Sequence, residues 1–257
     1  KHAILERYLQ AWFPILSFQS QRVRGGTKEI LFIDGFAGPG EYAEGQPGSP
    51  AIALKAALKH SAGFPVPVRF LFIELRRDRF DHLTNVLNRH SAEIAASPNV
   101  RLSQPRQGQC DTVLAQMLDE YEQKGIRFGP ALAFLDQFGY SAVSMQLMTR
   151  ILGYPQCEVF SYLDYKDMNR FIKDPSKAEG FKRTWGGDEW RQAIDMPESD
   201  RRAHLLKSYK EALRARAKVR YISSFAMFDR SGKLLYWLMF CTNNLRGLEL
   251  MKKAMWK

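Results

Sequence analysis

The stretch Leu31-Phe-Ile-Asp-Gly-Phe-Ala-Gly-Pro-Gly40 decides the fold of this chain, because an apolar run ends at a carboxylate and opens into a glycine loop. The run from Ile30 to Ile33 predicts a buried strand of a parallel sheet. Gly35, Gly38 and Gly40 let the backbone turn sharply and approach a ligand closely. Strand, carboxylate, glycine loop and helix follow in the order that α/β folds use at the carboxyl edge of their sheets.

The spacing of the glycines differs from the common nucleotide-binding motifs. Gly-x-x-Gly-x-Gly departs from the Gly-x-Gly-x-x-Gly of dinucleotide-binding proteins, and no Gly-Lys-Ser/Thr follows as in a P-loop. A plain turn after a core strand is the alternative interpretation, because glycine punctuates many α/β connections. After the loop, Ser49 and Pro50 are typical of the N-cap and first position of a helix, here from Ala51 to Lys59.

Length and composition favour one large ordered domain. The chain has 257 residues, of which 45% are hydrophobic and 12% aromatic, and this is enough to bury one sizeable core. We therefore expect a single domain over residues 1–257. No apolar run approaches the length that spans a bilayer, and the N-terminus is unlike a signal peptide, so we expect no membrane interaction. The chain begins with Lys1, which leaves an upstream segment open.

The net charge and the cysteines of the chain indicate what kind of partner it binds and in which cellular compartment it lies. The 38 Lys and Arg residues exceed the 27 Asp and Glu residues and give a formal net charge of +11, which favours a polyanionic partner such as nucleic acid. A basic surface that only confers solubility is the alternative. Cys110, Cys157 and Cys241 lie far apart without Cys-x-x-Cys or His pairing. We therefore expect no metal site, no disulfide and a cytoplasmic location.

Strand-like and helix-like segments alternate along the chain, which predicts the α/β class. An amphipathic helix over residues 1–18, ending near Pro14, comes first, and a polar, largely helical insertion spans residues 164–218. Five strands followed by a late antiparallel hairpin resemble the order of a Rossmann-like, mostly parallel, seven-stranded methyltransferase sheet. The predicted strands are 30–33, 68–73, 100–102, 131–135, 158–163, 219–228 and 234–241, and the predicted helices between and after them are 51–59, 78–89, 111–123, 143–152 and 245–256.

A second strand-end acid, Glu74, lies 40 residues after Asp34 (74 minus 34). In a Rossmann-like sheet this position faces the ligand crevice, where a carboxylate can accept hydrogen bonds from both hydroxyls of a ribose. A surface acid, or a partner of Arg76 or Arg77, is the alternative.

A loop after the third strand completes the predicted cofactor site. Gln109 and Cys110 are placed to line an adenine, whereas Asp111 is read more simply as the N-cap of the following helix. The predicted cofactor-binding residues are Asp34, Gly35, Phe36, Gly38, Gly40, Glu74, Gln109 and Cys110.

The third strand-end acid, Asp136, begins the strongest candidate segment for substrate chemistry. In amino-group methyltransferases the corresponding element is Asp or Asn, then Pro-Pro, then an aromatic residue. Here Asp136 and Phe138 keep the ends, but Gln137 and Gly139 replace the prolines. Asp136 would orient the acceptor or take its proton, and Phe138 would stack on a flat acceptor. Asp136 as a helix cap, with Phe138 and Tyr140 as packing residues, is the alternative.

The helical insertion contributes the remaining candidates. We predict Asp136 and Phe138 as catalytic residues, and Gln137, Tyr140, Arg170 and Trp185 as substrate-binding residues. Trp185 and Trp190 either stack a base or, as we favour, anchor the insertion. The basic run from Arg201 to Arg220 is the best candidate for a nucleic-acid surface, with a solvated helix face as the alternative.

Several motifs together resemble the three-Cys-motif partner proteins, a bacterial family with a class I methyltransferase-like fold. The resemblance implies S-adenosylmethionine as cofactor, with Asp34, Gly38 and Gly40 in the cofactor loop. It also implies a partner protein with a three-cysteine motif, such as an iron-sulfur or radical enzyme; the cysteines of this chain are not that motif. The matching pieces are Lys1–Leu9, Trp12–Leu16, Ile33–Gly40, Gly48–Pro50, Phe134–Gly139, Thr184–Trp190, Leu235–Phe240 and Gly247–Met251.

These observations lead to one main hypothesis and two alternatives. The main hypothesis is an S-adenosylmethionine-dependent methyltransferase that acts on a nucleic-acid or nucleobase-like acceptor. The first alternative is a non-catalytic module that binds nucleic acid or protein on a Rossmann-like fold. The second is an enzyme that uses a nucleotide cofactor for another reaction.

Overall fold

The computed structural model describes residues 1–22, 28–43 and 45–256. The chain divides into two compact units. The first unit comprises Lys1–Phe134 and Glu249–Lys257, and the second comprises Leu135–Leu248. Within the described ranges, no helix combines the length and the apolar character needed to cross a bilayer.

A parallel sheet forms the centre of the first unit. β1 pairs in parallel with β2 on one side, where Asp34 lies opposite Phe72, and with β5 on the other, where Asp34 lies opposite Phe134. All five positions of β1 are buried, as expected for a strand that is covered on both faces. β3 and β4 both pair in parallel with β2. The strands are β1 (Ile30–Asp34), β2 (Val68–Glu74), β3 (Val100–Leu102), β4 (Arg106–Gln107) and β5 (Ala131–Leu135).

The helices of the first unit follow the predicted order, although the N-terminal helix is longer than predicted. It continues through Pro14, since buried Leu16, Ser17 and Ser20 fix its last turns against the core. Burial therefore outweighs the tendency of proline to end a helix. The helices are α1 (His2–Arg22), α2 (Ser49–Leu58), α3 (Arg77–Arg89), α4 (Ser91–Ala96) and α5 (Cys110–Gln123).

The second unit consists of three strands, two of which form an antiparallel hairpin, and of the helical insertion. β8 lies between β6 and β7 and is antiparallel to both. The strands are β6 (Cys157–Leu163), β7 (Tyr221–Phe228) and β8 (Leu234–Thr242), and the helices are α6 (Met145–Gly153), α7 (Tyr165–Phe171), α8 (Ala178–Trp185) and α9 (Glu198–Ala217). The last helix, α10 (Leu245–Met255), begins in the second unit and ends in the first.

Two predicted helix caps are wrong. The N-cap of α2 is Gly48, and Ser49 already lies inside the helix. A Cβ atom on Gly48 would lie 2.8 Å from the carbonyl oxygen of Gly40, so this close approach requires glycine. The N-cap of α5 is Gln109, and Asp111 lies in the first turn. There its negative charge interacts favourably with the positive end of the helix dipole.

The architecture is a mixed α/β fold with a mostly parallel sheet and a C-terminal antiparallel strand pair. All seven predicted strands are confirmed, and the two-residue strand β4 is an addition. The organisation as a single domain stays a prediction.

Candidate cofactor site and acceptor residues

The glycine loop, residues 35–40, is held by backbone hydrogen bonds to both neighbours of β1. The amide of Gly35 donates to Phe134 on β5 at 3.0 Å, and the amide of Ala37 donates to Ile73 on β2 at 2.9 Å. Asp34 is fully buried, and its Oδ1 accepts from the amide of Phe36 at 3.1 Å. This short side-chain turn redirects the chain at the end of the strand.

Gly38 and Gly40 both have positive φ but face different surroundings. Gly38 has φ +62°, and nothing lies within 4 Å of the position that a Cβ atom would take. Gly40 has φ +81°, and its Cβ position lies 3.1 Å from Cδ1 of Leu83 on α3. Gly40 therefore allows the loop to pack on a helix, whereas Gly38 leaves an open cradle where a ligand can approach the backbone.

Glu74 links the glycine loop to β2 through its carboxylate. Oε2 accepts from the amide of Gly38 at 2.8 Å, and Oε1 accepts from the amide of Arg76 at 2.8 Å. Glu74 is only 6% exposed, so the alternative of a surface acid is wrong. The guanidinium of Arg76 pairs with Asp78, and that of Arg77 pairs with Asp81. Each carboxylate oxygen of Glu74 has a second lone pair that can accept another hydrogen bond.

The loop after β3 is tied to the end of β2, next to Glu74. Gln107 of β4 lies opposite Glu74, and the amide of Gly108 donates to the carbonyl of Glu74 at 3.0 Å. Gln109 is exposed. Cys110 is 4% exposed, and burial raises the pKa of its thiol, with the charges of Asp111 and Asp34 adding to the effect. The side chain of Cys110 is therefore a neutral packing group.

One residue of this region was not predicted from the sequence. Leu75 directly follows Glu74, and 58% of its surface is exposed, which is unusual for leucine beside a strand that is almost entirely buried. The sequence pattern that could have predicted Leu75 is an apolar residue directly after the acid that ends a strand. Leu75 offers an apolar surface next to the carboxylate.

The side chains of the described residues do not form a metal centre. Across residues 1–22, 28–43 and 45–256, no group of three His, Cys, Asp or Glu side chains is arranged so that it could hold a metal ion.

The acceptor loop, Asp136–Tyr140, follows β5 and belongs to the second unit. Asp136 is half-buried, and Phe138 is 78% exposed. The next helix, α6, begins at Met145 and is capped by Ser144, whose hydroxyl accepts from the amide of Leu147 at 3.1 Å. Ser144 is therefore the cap of α6, and the part of the alternative in which Asp136 caps this helix is wrong.

Gln137 and Tyr140, two of the predicted substrate-binding residues, are buried side chains with protein partners. The amide group of Gln137 donates to the carbonyl of Tyr162 at 3.0 Å and accepts from the amide of Val143 at 2.9 Å. Tyr140 is 6% exposed and packs against Phe181 with ring centroids 4.4 Å apart. Burial raises the pKa of Tyr140 to about 12. Both side chains help to hold the loop, Tyr140 as its packing alternative predicts, and their contact with a substrate stays a prediction.

Trp185 is a further correction, and Arg170 stays a candidate. Trp185 is fully buried, and its indole N–H donates to the hydroxyl of Ser208 at 3.0 Å, so it anchors the insertion as the favoured alternative predicts. Trp190 stacks on Phe181 at 4.6 Å and has the same role. Arg170 is exposed on α7.

The cations of the basic run Arg201–Arg220 fall into two groups, those that contact other protein groups and those that are exposed. The Arg201 guanidinium donates to four protein acceptors, Lys210 donates to the hydroxyl of Ser224 at 2.8 Å, and Arg216 pairs with Glu189 at 2.6 Å. These three residues stabilise the insertion. The exposed cations of the run are Arg202, Lys207, Arg214, Lys218 and Arg220.

Comparisons with known proteins support the fold. No protein-family model matches the chain, and no curated protein matches it. A protein from Legionella pneumophila str. Philadelphia 1 aligns with a TM-score of 0.52 and 10% identity over 99% of this chain and 90% of that chain, which shows the fold alone. The O-methyltransferase TomG from Streptomyces achromogenes, involved in tomaymycin synthesis and solved in complex with SAM, aligns with a TM-score of 0.44 and 12% identity over 93% of this chain and 80% of that chain. The resemblance to the three-Cys-motif partner proteins stays a prediction.

Proposed function

We propose that this chain binds S-adenosylmethionine and methylates a nucleic-acid or nucleobase-like acceptor. The observation that carries the proposal is the open cradle at Gly38, whose amide is fixed by the carboxylate of Glu74 at 2.8 Å. A loop that a ligand can approach closely and an acid with spare acceptor positions are the two features that a nucleoside cofactor needs.

The residues of the first unit fit the parts of this cofactor. Glu74 accepts hydrogen bonds from the ribose hydroxyls, Gly38 gives the backbone room for close approach, and Leu75 and Gln109 offer an apolar and a polar contact for the adenine. Asp34 shapes the loop through its hydrogen bond to Phe36. When bound, S-adenosylmethionine supplies an electrophilic methyl group on a sulfonium sulfur.

The acceptor loop of the second unit supplies the remaining chemistry. Asp136 accepts a hydrogen bond from the acceptor nucleophile and takes its proton, and the exposed ring of Phe138 stacks on the flat acceptor. Methyl transfer depends mainly on alignment, so fixing the acceptor contributes much of the acceleration. A base in a duplex must leave the stack to reach Asp136 and Phe138.

The partner and the location also belong to the proposal. The net charge of +11 favours nucleic acid, and the resemblance adds a three-cysteine-motif partner protein. The three cysteines are free and buried, as suits a reducing cytoplasm.

Calorimetric titration with S-adenosylmethionine, followed by a methyl-transfer assay on cellular RNA and DNA, tests the proposal. Wild-type protein should bind the cofactor. Asp136→Ala should abolish transfer and leave cofactor affinity within about twofold, because Asp136 belongs to the acceptor loop. Glu6→Gln, an exposed change on α1, serves as the control and should keep both properties. A folded wild-type protein that binds no cofactor would contradict the proposal, and loss of cofactor affinity in Asp136→Ala would remove Asp136 from the acceptor role.

A further inference from the structure

The second unit contains an open polar cavity of about 710 Å³ that none of the predicted catalytic or substrate-binding residues lines. Its walls come from α7, from the first turn of α9 and from the turn that joins β7 to β8. The lining residues are Tyr165, Lys166 and Asn169, then Glu198, Ser199 and Arg202, and then Asp229 and Gly232–Leu235.

Each wall contributes one exposed cation. These are Lys166, Arg202 and Lys233, and none of them forms an ion pair with another described residue. Arg201, beside Arg202, contrasts with them, since its guanidinium donates to three backbone carbonyls and to the side chain of Asn169. The structure therefore uses Arg201 for its own stability and leaves three positive charges around one cavity.

The two acids of the cavity are directed toward protein donors. Oδ1 of Asp229 accepts from the amide and hydroxyl of Ser231 and from the amide of Lys233, which closes the hairpin turn. Oε1 of Glu198 accepts from the side-chain amide of Asn169 at 3.5 Å. The lining therefore carries three cations and two acids, a formal net charge of +1 (3 minus 2), and both acids accept hydrogen bonds from protein groups.

The N-terminus of α9 carries two acids of its own. Pro197 at the N-cap supplies no side-chain acceptor, and Glu198 and Asp200 lie in the first turn, where their charges offset the positive end of the helix dipole. Glu198 and Ser199 line the cavity. The attraction for an anion therefore comes from the three cations on the walls and not from the helix end.

We propose that this cavity binds a backbone phosphate of the nucleic-acid acceptor, an inference that rests on the acceptor class of the proposed function. Contacts to phosphate fix the position of a nucleic acid without reading its sequence. The cavity accordingly holds the strand, and Asp136 and Phe138 act on the base.

Fluorescence anisotropy with a labelled single-stranded RNA of about 20 nucleotides tests the inference. The triple variant Lys166→Gln, Arg202→Gln and Lys233→Gln should bind at least about tenfold more weakly than wild type at moderate salt. Its plot of log K against log salt should be shallower by about 0.7, which is the contribution of one lost phosphate contact on a single strand.

The matched control removes the same charge from exposed positions outside both the cavity and the basic run. Lys124→Gln, Arg127→Gln and Lys252→Gln change three cations of this kind. This variant should keep the wild-type salt slope. An equal loss in both triple variants would show diffuse charge attraction and overturn the inference, as would a folded wild-type protein that binds no RNA.

Two further measurements separate this inference from the methyltransferase proposal. Both triple variants should keep the wild-type S-adenosylmethionine affinity, which also shows that they fold. If wild type binds no cofactor but the cavity variant still loses RNA affinity, the methyltransferase proposal fails and the phosphate site stands. Adenosine monophosphate that binds as tightly as the RNA, with the same dependence on the three cations, would assign the cavity to free nucleotides and overturn the inference.

Discussion

Glu74 is the residue on which the proposed cofactor site depends most. Its two carboxylate oxygens each accept one backbone amide, from Gly38 and from Arg76, both at 2.8 Å. The carboxylate therefore sets the position of the glycine loop before any ligand arrives. In the proposed site, a ligand hydroxyl meets an acceptor that is already oriented, which lowers the cost of binding.

Replacing Glu74 by glutamine should weaken both the fold and the site. Glutamine offers one acceptor oxygen instead of two, so one of the two amides loses its partner, at a cost of about 1–3 kcal/mol. Urea unfolding should show this loss, and calorimetry should show weaker S-adenosylmethionine binding. Glu6→Gln is the control, because Glu6 is exposed. Unchanged stability and unchanged cofactor affinity in Glu74→Gln would contradict the role of Glu74.

At the residue scale, the sequence identifies strand-end acids better than it identifies substrate contacts. Asp34 and Glu74 follow from an apolar run that stops at a carboxylate. Gln137, Tyr140 and Trp185 have protein partners that the sequence does not show, because it does not indicate which polar or aromatic groups meet in the fold. Their roles depend on tertiary neighbours that are distant along the chain, such as Ser208 for Trp185.

Among the elements, α7 is stabilised by a cap that carries an electrostatic cost. Asp164 is the N-cap, and Oδ1 accepts from the amide of Asp167 at 3.0 Å. Burial raises the pKa of Asp164, the charge of Asp167 raises it further, and the hydrogen bond from the amide of Asp167 opposes both. The charged carboxylate is thus less favourable in the folded protein than in the unfolded chain.

Asp164→Asn should make the protein more stable at neutral pH. A raised folded pKa means that the contribution of Asp164 to stability is fully present below its unfolded pKa and is lost as pH rises through the folded pKa. Asparagine keeps the cap without the charge. Urea unfolding across a pH series should show a larger free energy of unfolding for the variant than for wild type at pH about 7. This difference should shrink as the pH falls toward about 3.9, the pKa of an aspartate in the unfolded chain. A variant that is less stable at neutral pH would contradict this account.

The regular elements were predictable because each carries a periodic signal. The seven strands appear where apolar runs predict them, whereas β4 has only two residues and no period to detect. The helix starts were harder to predict, as Ser49 and Asp111 show, because capping depends on backbone geometry. α1 continues past Pro14 because its last turns are buried, which local propensity does not report.

At the scale of the whole molecule, the fold and the charge support different parts of the account. The parallel strands β1 and β2 of the first unit end at Asp34 and Glu74, and the loop after β1 brings Gly38 to Glu74. The net charge of +11 and the cations of the second unit favour a polyanionic acceptor. The cofactor proposal and the acceptor proposal can therefore fail independently.

The most direct test of the central claim compares Gly38→Ala with Gly125→Ala by calorimetric titration with S-adenosylmethionine. Both glycines have φ +62° and nothing within 4 Å of the Cβ position, so alanine should cost each variant a similar roughly 1–2 kcal/mol of backbone strain. Only Gly38 lies in the cradle. We predict that Gly38→Ala binds the cofactor at least about tenfold more weakly while Gly125→Ala binds like wild type. Equal cofactor affinity in the two variants would contradict a cofactor site at the glycine loop.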